Sequence, residues 1–208
     1  MGVGNMSNPI YGFTLADKAN ISTLYGEFHR RYHTLDHVHA CMYEYEQYLK
    51  DTKSEFKMSI HYAIWFHDIV YNPRASNGDN EKESASVFLA WALDHELDGQ
   101  LQSQVQRMTL ATAKHKHEWE TPETWTFLDI DLSILGQRPD VYNEYKADIR
   151  EEYRFVPTKD YTKGRIAVLQ SFLNRPRIYM TDYFHQKYEA TARKNIASEI
   201  TYLEKTGS

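Results

Sequence analysis

The sequence predicts an all-α protein with little or no β-sheet. The alternation of Val, Ile and Thr with polar residues, which is typical of strands, is nearly absent from the 208 residues. Capping residues, prolines and glycines recur along the chain at intervals suited to helices. Apolar residues repeat at helical spacing between these signals, as in the stripe Ala192, Ile196 and Ile200. We therefore expect a helical bundle with short polar turns.

The first three helices follow a flexible N-terminal arm, residues 1–13, which has Gly, Asn and Pro and no apolar period. The first helix is expected over about 15–30. Thr34 is a suitable cap for a second helix that continues to about residue 50. Ser54 is expected to cap a third helix, whose apolar residues lead to a His-Asp pair.

The remaining helices are also placed by their start and stop residues. Asn80 and Glu83 have the spacing of a capping box at the start of a fourth helix. Asp98-Gly99 breaks that helix, and a fifth runs from about 100 to 113. The others are predicted from Thr121-Pro122 to Gly136, from Pro139 to about 154, near 159–173 and near 182–204.

The composition indicates one globular domain, residues 14–208, with 41% hydrophobic and 14% aromatic residues. A net charge of −5 argues against a generic nucleic-acid binder, which carries a basic excess. The single cysteine, Cys41, leaves no internal disulfide partner and suits a reducing compartment. We expect a cytoplasmic protein with no membrane partner, because there is no spanning apolar run and no secretory signal. A homo-oligomer remains open.

Adjacent His67 and Asp68 end the apolar, aromatic run 60–66. Burying an imidazole beside a carboxylate costs several kcal/mol unless both are paired or bound to a metal. A helix end with a capping His and a solvated Asp explains the same dipeptide without a metal. His37, in the second helix, and Asp131, in a later one, provide further ligand types. Bundles often build metal sites from side chains on facing helices, so these four residues are candidate ligands of one divalent ion.

The order His … His-Asp … Asp in an all-helical chain resembles the HD-domain superfamily of metal-dependent phosphohydrolases. Tyr32-His33-x-x-x-His37 is similar to the Tyr-His-Asn-x-x-His segment of the cyclic nucleotide phosphodiesterases, which share the HD core. Ile130-Asp131-Leu132-Ser133 is similar to the Ala-Asp-Leu-Ser around that family's last ligand, which favours Asp131 over Asp129.

The chain resembles still more closely a group of stand-alone bacterial and phage HD proteins described as predicted phosphohydrolases. The resemblance spans about residues 25 to 201. Besides the segment at 32–37, it is carried by Trp65 to Tyr71, Asn80-Glu81-x-x-Ser84, Thr112-x-x-His115, Asp131 to Gly136, Ile149-Arg150-x-Glu152-Tyr153, Gly164-Arg165 and Ala192-Arg193-x-Asn195.

The resemblance implies an HD-domain helical bundle and hydrolysis by attack of a metal-bound water on phosphorus. The expected metal ligands are His37, His67, Asp68 and Asp131. The expected cofactor is a divalent ion, and the ligand set suits Mn, Mg, Fe, Co or Ni. The expected substrate is a nucleotide or another small phosphate ester.

Three further residues are candidate catalytic groups by the same resemblance. His33 or His115 would protonate the leaving oxygen, and Glu81 or a second ion would orient the water. Each also has a structural explanation. His33 stands at a helix start, Glu81 suits the dipole of a first helical turn, and His115 with His117 forms a basic turn.

Arg150, Arg165 and Arg193 are candidates for binding the substrate phosphate, because a guanidinium fork matches phosphate geometry. Each can equally pair with a glutamate on a neighbouring helical turn.

Two other functions remain open for the same fold. Some HD-fold proteins are thought to carry a two-iron site that activates O₂, and here His115 with His95 or Glu81 would supply the extra ligands. The other alternative is a non-catalytic nucleotide-binding HD module, which would bind a nucleotide without metal-dependent turnover.

Overall fold

The computed structural model describes residues 12–115 and 121–206, and within these ranges the protein is all-helical with no strand. The predicted all-α fold class is therefore confirmed. None of the described helices is long and apolar enough to cross a membrane. The elements are α1 (Leu15–Tyr25), α2 (Leu35–Thr52), α3 (Met58–Phe66), α4 (Asp79–Asp94), α5 (Gly99–Ala111), α6 (Pro122–Asp131), a 3₁₀ helix (Leu132–Gly136), α7 (Pro139–Glu152), α8 (Thr158–Leu173) and α9 (Asp182–Thr206).

Most of the predicted N-terminal arm, residues 1–11, lies outside the described residues, as does His117. Phe13, at the end of the predicted arm, is 8% exposed and packs edge-on against Trp65 of α3. The folded core therefore includes the last residue of that segment.

One predicted cap and one predicted helix start are confirmed, and one helix is shorter than expected. The Thr34 hydroxyl accepts the N–H of Asp36 at the start of α2, and Thr121 accepts the N–H of Thr124 at the start of α6. Helix α1 ends at Tyr25 instead of about residue 30. The N–H of Gly26, the residue after the helix, bonds back to carbonyls of the last turn. Residues 26–34 thus form a loop, which the helical period did not predict.

Two other predicted caps are wrong. Ser54 does not cap α3, which begins at Met58, and its hydroxyl instead donates to the Tyr48 hydroxyl at 3.4 Å. Asn80 does not cap α4, because Gly78 at φ 86° turns the chain and the helix begins one residue before Asn80. The Asn80 amide instead bonds the backbone N–H and C=O of Asn72 at 2.9 and 3.1 Å, which closes the loop after the His-Asp pair.

Helix α3 is the centre of the bundle. All residues from Ser59 to Phe66 are buried, as expected for a helix that is apolar around its whole circumference. Helices α2, α4, α5 and α6 contact it. His67 follows α3 directly, so the end of the most buried helix places an imidazole in the protein interior.

Arg30 fixes the loop between α1 and α2 to the turn after α3. The residue is 2% exposed, and its guanidinium donates to the carbonyls of His33, Asp68 and Ile69 at 3.0, 2.7 and 3.0 Å. Hydrogen bonds from a buried charged donor are worth about 1.5–3 kcal/mol each. Arg30 therefore holds the backbone of two predicted site residues, His33 and Asp68, in one fixed arrangement.

We expect Gly136→Ala to destabilise the fold. Gly136 ends the 3₁₀ helix, which packs against α9, and a β-carbon there would meet Cγ and Cδ1 of Tyr188 at 2.8 Å. Overpacking of this kind costs about 1–3 kcal/mol. Chemical denaturation measures the free energy of unfolding. An unchanged midpoint would contradict the close approach of these two segments.

Candidate metal centre

Two histidines and an aspartate from three parts of the chain meet in the interior. His37 lies in the first turn of α2, His67 follows α3, and Asp131 is the last residue of α6. The Nε2 atom of His37 is 3.2 Å from Nε2 of His67 and 3.1 Å from Oδ1 of Asp131. The same Asp131 oxygen is 3.5 Å from Nε2 of His67.

These separations fit ligands of a single ion. Ligand atoms about 2.1 Å from an ion and at right angles to one another are about 3.0 Å apart. The His37–His67–Asp131 group can therefore hold a metal ion with small adjustments of the side chains.

Asp68 adjoins this group without being part of its compact core. Its Oδ2 atom is 3.1 Å from Nε2 of His67 and 3.8 Å from Nε2 of His37. Three of the four predicted ligands thus form the group, and the fourth stands beside it on the wall of a cavity.

Backbone carbonyls fix the His67 ring in an orientation that suits a metal ligand. Its Nδ1 atom is 3.2 Å from the Ala63 carbonyl and 3.0 Å from the Ile64 carbonyl, so Nδ1–H donates there. That tautomer leaves the Nε2 lone pair directed at the other ligands. Burial lowers the pKa of His67, but the carboxylates of Asp68 and Asp131 outweigh it and raise the pKa well above its usual value.

We expect metal binding to displace the proton that these carboxylates hold on His67. Titration of the metal-free protein with Mn²⁺ near neutral pH should release about one proton per ion. Calorimetry in two buffers of different ionisation enthalpy measures this release. Binding without proton release would contradict the raised pKa of His67 in the metal-free protein.

His115 lies on the other side of Asp131. Its Nε2 atom is 2.9 Å from Oδ2 of Asp131, while Oδ1 faces His37 and His67. The Arg175 guanidinium bonds the His115 carbonyl at 2.8 Å and holds the backbone in place. Burial raises the pKa of Asp131, but the three histidines lower it by more than burial raises it. The pKa of Asp131 therefore lies well below its usual value.

The two aspartates of α6 are separated by the helix. Asp129 is completely buried, and its carboxylate accepts the N–H groups of Met180 and Thr181 at 2.9 and 2.8 Å and the Thr181 hydroxyl at 2.7 Å. It joins α6 to the segment before α9. Asp131, as the motif resemblance favoured, is the aspartate among the histidines.

His33 is held by Glu152, a residue for which no sequence motif indicated a role. The Nδ1–H of His33 donates to Oε2 of Glu152 at 2.7 Å, and the Tyr71 hydroxyl donates to the same oxygen at 2.8 Å. The other oxygen, Oε1, accepts the backbone N–H groups of residues 31–33 at 2.8, 2.9 and 3.0 Å. The Tyr71 ring stacks on the His33 ring with centroids 4.1 Å apart.

This arrangement shifts the pKa values of both partners. Burial lowers the pKa of His33, but the charge of Asp68 and the bond to Glu152 raise it above its usual value. Burial raises the pKa of Glu152, but His33 and the backbone donors reduce it to about 2. His33 therefore keeps its proton to a higher pH than an ordinary imidazole does, beside the candidate metal group.

A cavity of about 600 Å³ adjoins the site. It is lined by all three candidate catalytic residues, His33, Glu81 and His115, and by Asp68 and Asp131. His37 and His67 do not line the cavity but are grouped with Asp131, which does. The structure thus brings together seven of the predicted site residues.

The predicted phosphate-binding arginines are placed differently. Arg150 does not line the cavity, because its guanidinium bonds the carbonyls of Tyr153 and Val156 at 2.7 and 3.3 Å. The guanidinium is thus engaged with backbone carbonyls, and its binding to a substrate phosphate stays a prediction. Arg165 does line the cavity but pairs with Glu199 at 2.8 Å. Arg193 pairs with Glu189 of α9 at 2.7 Å and does not line it.

Comparison of the chain with protein-family models, with curated proteins and with solved structures finds no match in any of the three. The function is therefore inferred from the geometry of the site and from the sequence motifs.

Proposed function

We propose that this chain is a metal-dependent phosphohydrolase of the HD type, acting on a nucleotide or another small phosphate ester. One observation carries the proposal: a compact group with metal-ligand spacing adjoins a cavity that two further imidazoles, His33 and His115, also line. A structural ion-pair cluster has no need of such a cavity.

Two imidazoles and two carboxylates, from His37, His67, Asp68 and Asp131, suit a divalent ion in both donor type and charge. Such an ion supplies Lewis acidity toward a phosphoryl oxygen and lowers the pKa of bound water. Which of Mn, Mg, Fe, Co and Ni is used depends on availability as well as on these ligands.

The remaining residues supply proton transfer and orientation. His33 has Nδ1 fixed by Glu152, which leaves Nε2 to give its proton to the leaving oxygen. Glu81 lines the cavity and accepts a proton from the attacking water. His115 fixes Oδ2 of Asp131, so that Oδ1 stays directed at His37 and His67.

Product analysis tests this proposal. Ribo- and deoxynucleoside monophosphates and triphosphates and cyclic nucleotides are incubated with the protein and Mn²⁺, Mg²⁺, Co²⁺ or Ni²⁺. We expect release of phosphate or opening of the cyclic ester with at least one class. A chelator and Asp68→Ala should both silence it. No turnover with any metal would overturn the proposal for nucleotides.

One observation favours a second candidate, a two-iron oxygenase. Asp131 has an imidazole near each of its oxygens, and Glu81 lines the same cavity, so a second ion has three candidate ligands. His95, the other proposed ligand, instead contacts the Trp91 carbonyl at 2.8 Å and Asp17 at 3.2 Å and does not line the cavity. Two bound irons per chain together with O₂ uptake would support this candidate.

A further inference from the structure

Most of the cavity wall beyond the histidines and carboxylates is apolar or aromatic. It includes residues of the 3₁₀ helix, of α7 and the segment after it, and of one face of α8. Three of its residues, Tyr145, Tyr153 and Tyr161, form what we call the tyrosine wall. The same cavity is lined by Val156, Gly164 and Val168. Walls of this kind bind apolar or planar groups, because they remove them from water and stack against aromatic rings.

The charges on the wall disfavour a polyphosphate. Among the described residues that line the cavity, Arg165 is the one lysine or arginine. Its Nε and Nη2 atoms are bonded to the two carboxylate oxygens of Glu199 at 2.8 and 3.2 Å, which neutralises its charge. Glu81 and Asp160 also line the cavity as carboxylates. A metal ion held by the candidate ligands would give one phosphoryl group a positive partner, whereas further phosphates would face carboxylates.

Gly164 leaves space in front of α8. It lies inside that helix, where glycine costs about 0.5–1 kcal/mol relative to alanine. It lines the cavity, and a β-carbon built on it would meet no atom within 4 Å. The absence of a side chain therefore widens the cavity beside the aromatic wall.

Arg150 makes this wall rigid. It bonds the carbonyls of Tyr153 and Val156, and its guanidinium lies over the Tyr161 ring, 4.6 Å from the centroid. All three of these partners line the cavity, while Arg150 itself does not. The organic group of a ligand thus meets a preformed surface, which reduces the entropy lost on binding.

We propose that the cavity selects a phosphate monoester whose organic group is apolar or aromatic and occupies the space between Gly164 and the tyrosine wall. This specificity rests on the proposed phosphohydrolase function, in which a metal ion held by His37, His67 and Asp131 would neutralise the single phosphoryl group. Hydrolysis then forms a bond from the water oxygen to phosphorus and breaks the ester P–O bond. The alcohol leaves with the proton from His33, and Glu81 takes the proton from the water.

Binding of inert phosphonates tests the specificity without turnover. The Mn²⁺-loaded protein is titrated calorimetrically with methylphosphonate and with naphthylmethylphosphonate. We expect the naphthyl compound to bind at least about tenfold more tightly. Gly164→Phe should remove this preference and leave methylphosphonate binding in place. If Gly164→Phe folds poorly, Val168→Trp narrows the cavity from a second position on α8. It is expected to remove the same preference and to leave methylphosphonate binding in place.

The matched control is Ala167→Phe, which adds the same ring to an exposed position of α8 that does not line the cavity. It should keep the wild-type preference. Equal affinity for the two phosphonates in the wild-type protein would overturn the inference, as would a preference that survives in both narrowed variants.

Hydrolysis separates this inference from the function on which it rests. Naphthylmethyl phosphate and a nucleoside monophosphate are esters of primary alcohols, as methyl phosphate is, and they distinguish a simple aromatic group from a base-bearing one. A higher kcat/KM for either than for methyl phosphate supports the inference. A nucleoside triphosphate hydrolysed as well as its monophosphate would overturn the inference and keep the phosphohydrolase. A naphthyl preference in binding with no hydrolysis of any ester would overturn the phosphohydrolase and keep the apolar subsite.

Discussion

Asp131→Asn is expected to lose the metal ion and to lower turnover by roughly 10²–10³-fold. The Asp131 carboxylate reaches both imidazoles of the compact group through Oδ1 and His115 through Oδ2. Asparagine keeps the shape but removes the negative charge that balances a divalent ion. Metal content after dialysis and initial rates of phosphate release measure the two losses.

Asp129→Asn is the matched control, two residues earlier on the same helix. The Asp129 carboxylate receives three hydrogen bonds from Met180 and Thr181, so an amide there leaves a buried donor facing other donors. We expect a loss of about 1–3 kcal/mol in the free energy of unfolding and full metal content in the folded protein. If Asp129→Asn lost the metal while Asp131→Asn kept it, our assignment of the last ligand would be wrong.

The places of His37, His67 and Asp131 in the helices could be predicted from the sequence because the signals for them are local. Thr34 places a helix start three residues before His37, and the apolar run of α3 ends at His67. The Pro122 start likewise places Asp131 in a short buried helix. A prediction from local signals is wrong where two signals compete for one helix start. The capping-box spacing of Asn80 favoured a start at that residue, but the turn at Gly78 begins the helix earlier.

The supports of the site could not be predicted in the same way. Glu152 lies 119 residues after His33 in the chain, and no helical period or motif spacing indicates that they touch. The motif resemblance included Glu152 without giving it a role. Arg30 offered no signal at all, because its three carbonyl acceptors are specified by tertiary packing. The guanidinium chemistry of Arg150 indicated phosphate binding, whereas in the fold this group bonds the carbonyls of Tyr153 and Val156.

Glu152→Gln is expected to lower kcat by roughly 10–100-fold and to move the alkaline limb of the kcat/KM profile to lower pH. Glu152 fixes the His33 ring through Nδ1 and helps to raise the pKa of His33. Glutamine keeps the size but removes the charge, so His33 loses its proton at a lower pH. The pH dependence of kcat/KM on one substrate measures the shift. Tyr71→Phe is the control, because it removes another donor to Glu152 and keeps the ring stacked on His33.

The same substitution is expected to change acid stability. The pKa of Glu152 is about 2 in the folded protein, below its ordinary value of 4.5. Its charge therefore stabilises the fold fully above pH 4.5, and this contribution is lost as the pH falls from 4.5 toward 2. Urea unfolding across this range should show a decline in the wild-type protein on the order of 3 kcal/mol that Glu152→Gln lacks. Equal declines would contradict the depressed pKa.

A double-mutant cycle with His33→Ala separates positioning of the imidazole from general support of the loop. If Glu152 acts on turnover through His33, the Glu152→Gln change costs little further kcat once the imidazole is gone. If Glu152 serves only to hold the backbone of residues 31–33, its effect on kcat is the same in both backgrounds. Loss of stability is expected in both backgrounds under either account, because the three backbone donors remain. The coupling in kcat, and not the loss of stability, therefore decides whether the buried carboxylate is part of the proton-transfer machinery.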